Sequence, residues 1–161
     1  LKKAGAKYII LGHSENRMVG ETNQLIKKKI ISSTKQKLNI ILCIGETNFE
    51  RKKKKTFLVL KKQLKNSLEK KFDYKRIIIS YEPVWAIGTN KIPKINDLKK
   101  TIKFIKKVFK TKKMVKVLYG GSVNNNNIRL FSQIPDIDGF LIGGASQSSK
   151  KFIDIVKNYY K

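Results

Sequence analysis

The sequence is short of the residues that cross-link a protein, bind metals or anchor it in a membrane. Its 161 residues include one histidine and one cysteine. The single cysteine, Cys43, can form no internal disulfide, which favours a reducing compartment such as the cytoplasm. The longest apolar runs, 40–44 and 77–79, fall far short of the ~20 residues of a membrane helix, and residues 1–5 lack the apolar core of a signal peptide. Because 40% of the residues are hydrophobic, we predict a single folded domain.

Acidic residues are also scarce, with 11 against 37 lysines and arginines, which gives a net charge of +26. Such a charge raises the hypothesis of a nucleic-acid-binding module. However, sites that read phosphates and bases favour arginine for its planar fork, and only four of the cations are arginines. Lysine, isoleucine and asparagine share A/T-rich codons. We therefore interpret the charge as the mark of an AT-rich genome and keep nucleic-acid binding as the weaker alternative.

One pattern recurs five times along the chain. A short apolar run ends in glycine or polar residues, and a lysine-rich amphipathic segment follows. The runs lie at 8–11, 40–44, 77–79, 115–118 and 140–142. They are mostly continuous and rich in β-branched residues, as strands buried on both faces of a parallel sheet require. The pattern therefore predicts an α/β protein with a parallel sheet.

The segments between the runs predict helices. Three stripes at helical spacing mark their buried faces, and they are formed by Leu60, Leu64 and Leu68, by Leu98, Ile102, Ile105 and Phe109, and by Phe152, Val156 and Tyr159. Residues 52–55 are expected to begin the second helix. Asn96 or Asp97 is expected to cap the helix that carries Leu98.

The length of the repeat limits the architecture. Five units in 161 residues give about 32 residues each, and a (β/α)8 barrel of ~250 residues gives about 31. Five consecutive eighths of a barrel fit this arithmetic, and so does a doubly wound open sheet of five strands.

Chemically useful residues follow the predicted strands, where parallel α/β proteins place their working side chains. His13 follows the first run and Glu82 follows the third. Gly120-Gly121-Ser122 and Gly143-Gly144 follow the last two, and bare backbone N–H groups of this kind can approach an anion closely. Each feature alone also fits a structural role. Together they favour acid–base chemistry on a small phosphorylated molecule, and the sequence shows no cluster with metal-ligand spacing.

Five segments resemble the triosephosphate isomerase family, in that family's order. They lie at 12–17, 43–47, 81–89, 119–123 and 138–146. The resemblance implies a TIM (β/α)8 barrel of which this chain supplies strands four to eight. It also implies interconversion of dihydroxyacetone phosphate and glyceraldehyde 3-phosphate through an enediolate, without a cofactor, by a cytoplasmic homodimer.

The resemblance implies a role for each matching residue. Glu82 corresponds to the base that moves the proton, and His13 to the neutral electrophile that polarises the carbonyl. The phosphate is expected at Gly88, Ser122, Gly143 and Gly144. A mobile lid is expected to include Pro83, Val84, Trp85, Ala86, Ile87, Gly88 and Thr89. Supporting roles are expected for Ser14, Glu15, Arg17, Cys43, Tyr119, Gly120 and Gly121, with Glu15 and Arg17 as ion-pair members around His13.

Two departures from the family pattern stand out. Asn90 follows Gly88-Thr89 where the family usually has glycine, and asparagine tolerates left-handed backbone angles better than most residues. The alignment also lacks three N-terminal βα units, with the family's substrate-contacting Asn and Lys. We therefore expect a fragment of a longer enzyme that is inactive by itself, the alternative being an inactive remnant of that enzyme.

Overall fold

A computed structural model describes residues 1–109 and 115–160, in which five strands alternate with seven helices. The strands are β1 (Tyr8–Leu11), β2 (Asn39–Ile44), β3 (Ile77–Tyr81), β4 (Lys116–Tyr119) and β5 (Gly139–Phe140). The helices are α1 (Ser14–Met18), α2 (Asn23–Lys35), α3 (Asn48–Lys52), α4 (Thr56–Ser67), α5 (Ile95–Val108), α6 (Ile128–Ser132) and α7 (Ser149–Tyr159). Short 3-10 segments lie at Lys2–Ala4, Tyr74–Arg76, Val84–Ala86 and Gly144–Gln147.

The strands form one parallel sheet whose spatial order follows the chain, from β1 to β5. A doubly wound sheet reverses its strand order at a switch point, whereas a barrel adds each strand beside the previous one. The observed order excludes the doubly wound alternative. It matches five consecutive units of a (β/α)8 barrel.

The predicted strands agree with the sheet except at their ends. The run 8–11 is confirmed, and β3 extends two residues beyond the predicted 77–79. The predicted strand 140–142 is too long, because β5 contains only Gly139 and Phe140. Leu141 still donates from its backbone N–H to the Tyr119 carbonyl at 3.0 Å, but β5 pairs with β4 alone among the described strands, and its ladder ends early.

Two predictions about helix starts are wrong. Residues 52–55 do not begin the second helix. Thr47 and Glu50 form a capping box that starts α3 earlier, and Lys54 then turns the backbone at a φ of 56° before α4 begins. Neither Asn96 nor Asp97 caps α5, because the Lys94 carbonyl already accepts the N–H groups of Asp97 and Leu98.

The helices bury one stripe each against the sheet or their neighbours. The α5 stripe of Leu98, Ile102, Ile105 and Phe109 is buried as predicted. In α7 the predicted stripe is wrong, because Phe152, Val156 and Tyr159 are exposed and Ile155 is the buried residue. The extensive contacts of α7 run to α6 and to the Gly144–Gln147 segment, so the helix covers little apolar surface.

The two faces of the sheet differ in burial. One row across β1–β4, formed by Leu11, Leu42, Ile79 and Val117, is buried. The adjacent row on the opposite face, formed by Ile10, Ile41, Ile78 and Lys116, is partly open, and Ile10 is 46% exposed. In a barrel this second face lines the interior, where layers from alternate strands fill the space together.

None of the helices within residues 1–109 and 115–160 has the length and apolar character needed to cross a membrane.

Candidate active site

The carboxyl ends of the strands surround a cavity of about 630 Å³. Loops after β1, β3, β4 and β5 contribute its walls. The predicted site residues that line it are His13, Glu82, Ile87, Gly88, Gly120, Gly121, Ser122, Gly143 and Gly144. Most of the predicted reacting and anion-binding groups are thus brought to one cavity. Pro83, Val84, Trp85, Ala86 and Thr89, with Ser14, Glu15, Arg17, Cys43 and Tyr119, lie outside its lining.

Glu82 is fixed by the backbone of the two neighbouring strands. Its N–H donates to the Ile44 carbonyl at 2.8 Å, which extends the β2–β3 ladder by one residue. The two flanking glycines leave no room for a side chain. A Cβ on Gly45 would lie 1.8 Å from the Glu82 carbonyl oxygen, and one on Gly120 would lie 2.7 Å from Glu82 Cγ. Glycine at both positions therefore allows the carboxylate to occupy its place.

The Glu82 carboxyl is buried, with 3% of the residue exposed. Ser80 Oγ donates to its Oε1 at 3.1 Å, whereas Oε2 has no hydrogen-bond partner among the described residues. Burial raises the pKa of Glu82, while the Cys43 thiol, His13, Ser80 and Arg17 oppose the rise. Such a carboxyl is suited to act as a general base, because a base works best when its pKa lies near the working pH.

His13 faces the free oxygen of Glu82. Its Nε2 lies 3.8 Å from Glu82 Oε2, and its Nδ1 lies 3.8 Å from Glu15 Oε2. The backbone places it there, because His13 is the N-cap of α1 and its carbonyl accepts the Arg17 N–H. One imidazole nitrogen and one carboxylate oxygen are therefore directed at the same space.

The predicted lid begins with a well-anchored segment, Pro83–Val84–Trp85–Ala86, which is called the hinge below. The Ala86 N–H donates to the Pro83 carbonyl, and the Val84 N–H donates to the Glu46 carbonyl at 3.1 Å. Trp85 Nε1 donates to Glu46 Oε1 at 3.0 Å. On the other side, Ser122 Oγ donates to the Ala86 carbonyl at 2.6 Å.

The rest of the lid faces open space. Gly88 has a φ of +65°, and an added Cβ there would meet no atom within 4 Å. Thr89 Oγ1 donates to the Trp85 carbonyl and accepts the Lys91 N–H. Asn90 adopts a φ of 58°, so it takes the left-handed backbone that its residue type tolerates.

Gly143 and Gly144 line the same cavity as Gly88. Gly144 begins the 3-10 segment and Gly143 precedes it, as predicted for a short helix at this position. An added Cβ would meet no atom within 4 Å at either glycine. Space for an anion therefore exists beside this backbone.

Arg17 does not play the predicted ion-pair role. Its Nε donates to the Gly12 carbonyl at 2.7 Å, and its Nη2 donates to the Cys43 carbonyl at 3.1 Å. Its Nη1 donates to Asn23 Oδ1 at 2.8 Å, and within the described residues no ion pair joins its guanidinium to a carboxylate. Arg17 thereby ties the loop after β1 to the end of β2.

Of the other supporting residues, Cys43, Tyr119 and Ser14 are buried, and Glu15 is not. Cys43 is buried, and burial together with Glu82 raises the pKa of its thiol, which keeps the sulfur protonated. Tyr119 is fully buried, and a Cβ on Gly121 would lie 2.2 Å from its hydroxyl. Ser14 is buried at the start of α1, and Glu15 is exposed.

Sequence reasoning missed Glu46, Tyr81, Ser80 and Arg51. Glu46 is fully buried, and its carboxylate accepts the Tyr81 hydroxyl as well as the Trp85 indole. A glutamate close behind an apolar run is unusual, so the sequence contained a signal for Glu46. Ser80 could not have been found, because a serine inside a strand has no distinguishing pattern.

The fold and the site define a class. This is a protein of the (β/α)8-barrel type with a buried carboxylate opposed to an imidazole at the carboxyl ends of its strands. A family model described as triosephosphate isomerase matches residues 1–159. The chain belongs to the triosephosphate isomerase family.

Individual relatives agree with this assignment. The chain is similar to the triosephosphate isomerase of Borrelia garinii subsp. bavariensis, with 42% identity over 98% of this chain and 66% of the relative. It is 40% identical to that of Mycoplasma mobile, over 95% of this chain and 63% of the relative. The crystal structure of the Bartonella henselae enzyme superposes with a TM-score of 0.91 at 35% identity, covering 100% of this chain and 68% of that one. The chain thus spans about two thirds of the length of these relatives.

Proposed function

We propose that the protein interconverts dihydroxyacetone phosphate and glyceraldehyde 3-phosphate. The observation that carries this proposal is the unpartnered Oε2 of Glu82, 3.8 Å from His13 Nε2 at the edge of the cavity. A proton on the carbon next to a carbonyl is removed by a carboxylate, and the oxygen that becomes negative is met by a hydrogen-bond donor. The two groups supply both functions.

The proposed reaction moves one proton between two neighbouring carbons and another between their oxygens. Glu82 Oε2 takes the proton from one carbon while His13 Nε2 donates a hydrogen bond to the neighbouring carbonyl oxygen, which gives an enediolate. His13 then helps to move a proton between the two oxygens, and Glu82 returns its proton to the other carbon. Aldehyde and ketone are exchanged, and no atom is gained or lost.

We propose that the phosphate binds between the lid and the Gly143–Gly144 backbone. The open space beside Gly88, Gly143 and Gly144 leaves their N–H groups accessible to an anion, together with the Ser122 backbone. Closing the lid over the substrate would exclude water and strengthen these contacts.

We propose that three further βα units complete the barrel and supply the missing substrate contacts. The coverage of the relatives supports this, as do the unpaired outer edges of β1 and β5 among the described strands. We also propose a cytoplasmic homodimer. Met18 and Val19, which are 72% and 86% exposed at the C-terminal end of α1, offer apolar surface for such a contact.

The test uses the intact protein in deuterated water. Glyceraldehyde 3-phosphate is added, and proton NMR follows the appearance of dihydroxyacetone phosphate. Deuterium at the carbon that receives the proton from Glu82 is measured as a loss of proton signal there. We expect isomerisation with deuterium incorporation, lost in Glu82→Gln and His13→Asn and kept in Glu69→Gln, whose carboxylate pairs with Lys27 on the surface. An intact wild-type protein without isomerisation would contradict the proposal and favour the inactive remnant.

A further inference from the structure

The guanidinium of Arg51 joins three elements beside the lid hinge. Arg51 lies in α3, and its Cζ stands 4.3 Å from the centre of the Trp85 ring. Its Nη2 lies 3.2 Å from Asp97 in the first turn of α5, and its Nη1 lies 3.7 Å from Oε1 of the buried Glu46. The side chain is only 28% exposed, so these contacts are partly shielded from water. One residue thus connects α3, α5 and the hinge.

The chemistry of this position suits arginine specifically. The Trp85 indole lies against the guanidinium face while its N–H donates to Glu46 Oε1. A planar guanidinium can stack on a ring and pair with carboxylates at its edge at the same time, which a lysine ammonium cannot do. Four lysines, at 52–55, follow Arg51 in the sequence. If position 51 needed only a positive charge at the surface, a lysine would meet that need as well.

In the arrangement that Arg51 supports, the backbone around the cavity is uncovered. Gly88 in the lid, and Gly143 and Gly144 in the same cavity, all border open space. The hinge of the lid is nevertheless ordered, because the Trp85 indole is held by Glu46 and Arg51 and the Ala86 carbonyl by Ser122. If the lid closes by a change at this hinge, the indole must leave its place between guanidinium and carboxylate.

We propose that Arg51 is a positioning residue that stabilises the open lid through its stack on Trp85. The inference rests on the proposed function, because it concerns the lid of that site. Removing the stack lowers the stability of the open state, and any ligand that binds the closed state then binds more tightly. A cation–π contact at a partly exposed site predicts a gain of about two- to fivefold in affinity.

The test compares Arg51→Met with Lys53→Met in the intact protein. Lys53 is a matched control, because it follows α3 directly and its Nζ stands 4.1 Å from the centre of the Phe49 ring, which lies outside residues 83–89. Trp85 is the single tryptophan of these 161 residues, so its emission and its quenching by acrylamide report on the hinge once any other tryptophan is replaced by phenylalanine. The ligand is 2-phosphoglycolate, a phosphate whose carboxylate has the charge and shape of an enediolate.

We expect Arg51→Met to change the ligand-free emission of Trp85 and to lower the Kd of 2-phosphoglycolate about two- to fivefold. It should lower kcat more than kcat/KM, because a closed lid slows product release. Lys53→Met should match wild type in the emission of Trp85, in the Kd of 2-phosphoglycolate and in both kinetic constants. If Arg51→Met fails to fold, Arg51→Lys replaces it, with the same changes at smaller size because the charge remains and the stacking face is lost.

Wild-type emission and wild-type affinity in a folded Arg51→Met or Arg51→Lys protein would overturn the inference, and so would equal changes in Lys53→Met. The emission measurement needs no turnover. An intact wild-type protein that neither binds 2-phosphoglycolate nor isomerises trioses contradicts only the proposed function, so the two failures are distinguishable.

Discussion

The Ser122 hydroxyl donates a hydrogen bond of 2.6 Å to the Ala86 carbonyl oxygen, so the loop after β4 is tied to the lid hinge. The bond joins residues 36 positions apart and fixes the end of the hinge that faces the cavity. With the Trp85–Glu46 bond on the other side, the hinge is anchored to the loops after β2 and β4. If residues 83–89 act as a lid, we therefore expect its movement to change one of these contacts, the Val84–Glu46 backbone bond or the Arg51 stack on Trp85.

The first prediction tests this anchor. We expect Ser122→Ala to increase the acrylamide quenching of Trp85 and to destabilise the fold by about 1 kcal/mol, the typical net contribution of a hydrogen bond. Ser132→Ala is the control, because its hydroxyl also donates to a carbonyl, that of Arg129, at an exposed position of α6. Equal quenching in the two variants would show that Ser122 does not hold the hinge.

Glu82→Gln should be more stable than wild type at neutral pH and nearly inactive. Burial raises the pKa of Glu82, so its contribution to stability is fully present below the pKa of an unfolded glutamate and is lost as the pH rises through the folded value. As the pH rises, the ionisation of Glu82 therefore costs the wild type stability that Glu82→Gln does not lose. Loss of a general base should lower kcat by ~10²–10⁴-fold.

Thermal melts at pH 8 and pH 4 check the sign. The Tm advantage of Glu82→Gln should be present at pH 8 and shrink at pH 4. Glu69→Gln should show the opposite, a small loss at pH 8, because Lys27 and Lys71 lower the pKa of that carboxyl. A destabilised Glu82→Gln at pH 8 would contradict the assignment of Glu82 as a strained, buried acid.

The pH dependence of kcat/KM should report on Cys43. We expect the acid limb to have its midpoint above 4.5, the ordinary pKa of glutamate, because burial raises the pKa of Glu82. The Cys43 thiol opposes this rise in the pKa of Glu82. Cys43→Ala should therefore move the midpoint to higher pH, and Cys43→Ser, which keeps a donor, should move it less. An unchanged midpoint in Cys43→Ala would show that Cys43 does not influence the pKa of Glu82.

Sequence reasoning reached the parts of this site that local patterns encode. Continuous apolar runs marked the strands, and position at their carboxyl ends marked His13, Glu82 and the glycine pairs. The contacts of Glu46 with Trp85 and of Arg51 with Asp97 join residues 39 and 46 positions apart, and neither pair has a local signature. The α7 stripe failed for the same reason, since burial of Phe152 depends on which elements pack against the helix.

Gly120→Ala should damage the site directly, because the added methyl group meets the side chain of Glu82 itself. The added Cβ would lie 2.7 Å from Glu82 Cγ and 2.8 Å from Ser80 Oγ, so the base must move. Overpacking of this kind costs about 1–3 kcal/mol, and misplacing a catalytic group by about 1 Å can cost 10²-fold in rate. Gly144→Ala, whose Cβ meets no atom within 4 Å, should keep a wild-type Tm. Equal Tm values and rates in Gly120→Ala and wild type would mean that the carboxylate has more room than the structure gives it.

A protein made of these 161 residues alone should fold poorly, and the three proposed units should rescue it. Within the described sheet, the outer edges of β1 and β5 have no partner strand, and free edges present unpaired N–H and C=O groups. Tyr8 and Ile10 on β1 are 54% and 46% exposed, so part of the barrel interior is open to water. These losses are large beside a typical stability of ~5–15 kcal/mol, and self-repulsion at a net charge of +26 adds to them.

We therefore expect the 161-residue protein to melt without a cooperative transition, to bind a dye for exposed apolar surface and to lack isomerase activity. Fusing the three N-terminal βα units, or adding them in trans, should restore a cooperative melt and activity together, because the same strands close the sheet and bring the missing substrate contacts. Raising the salt concentration alone is the control, since it screens the charge but leaves the edges open. A 161-residue monomer that melts cooperatively and isomerises triose phosphates without those units would show that five strands are enough.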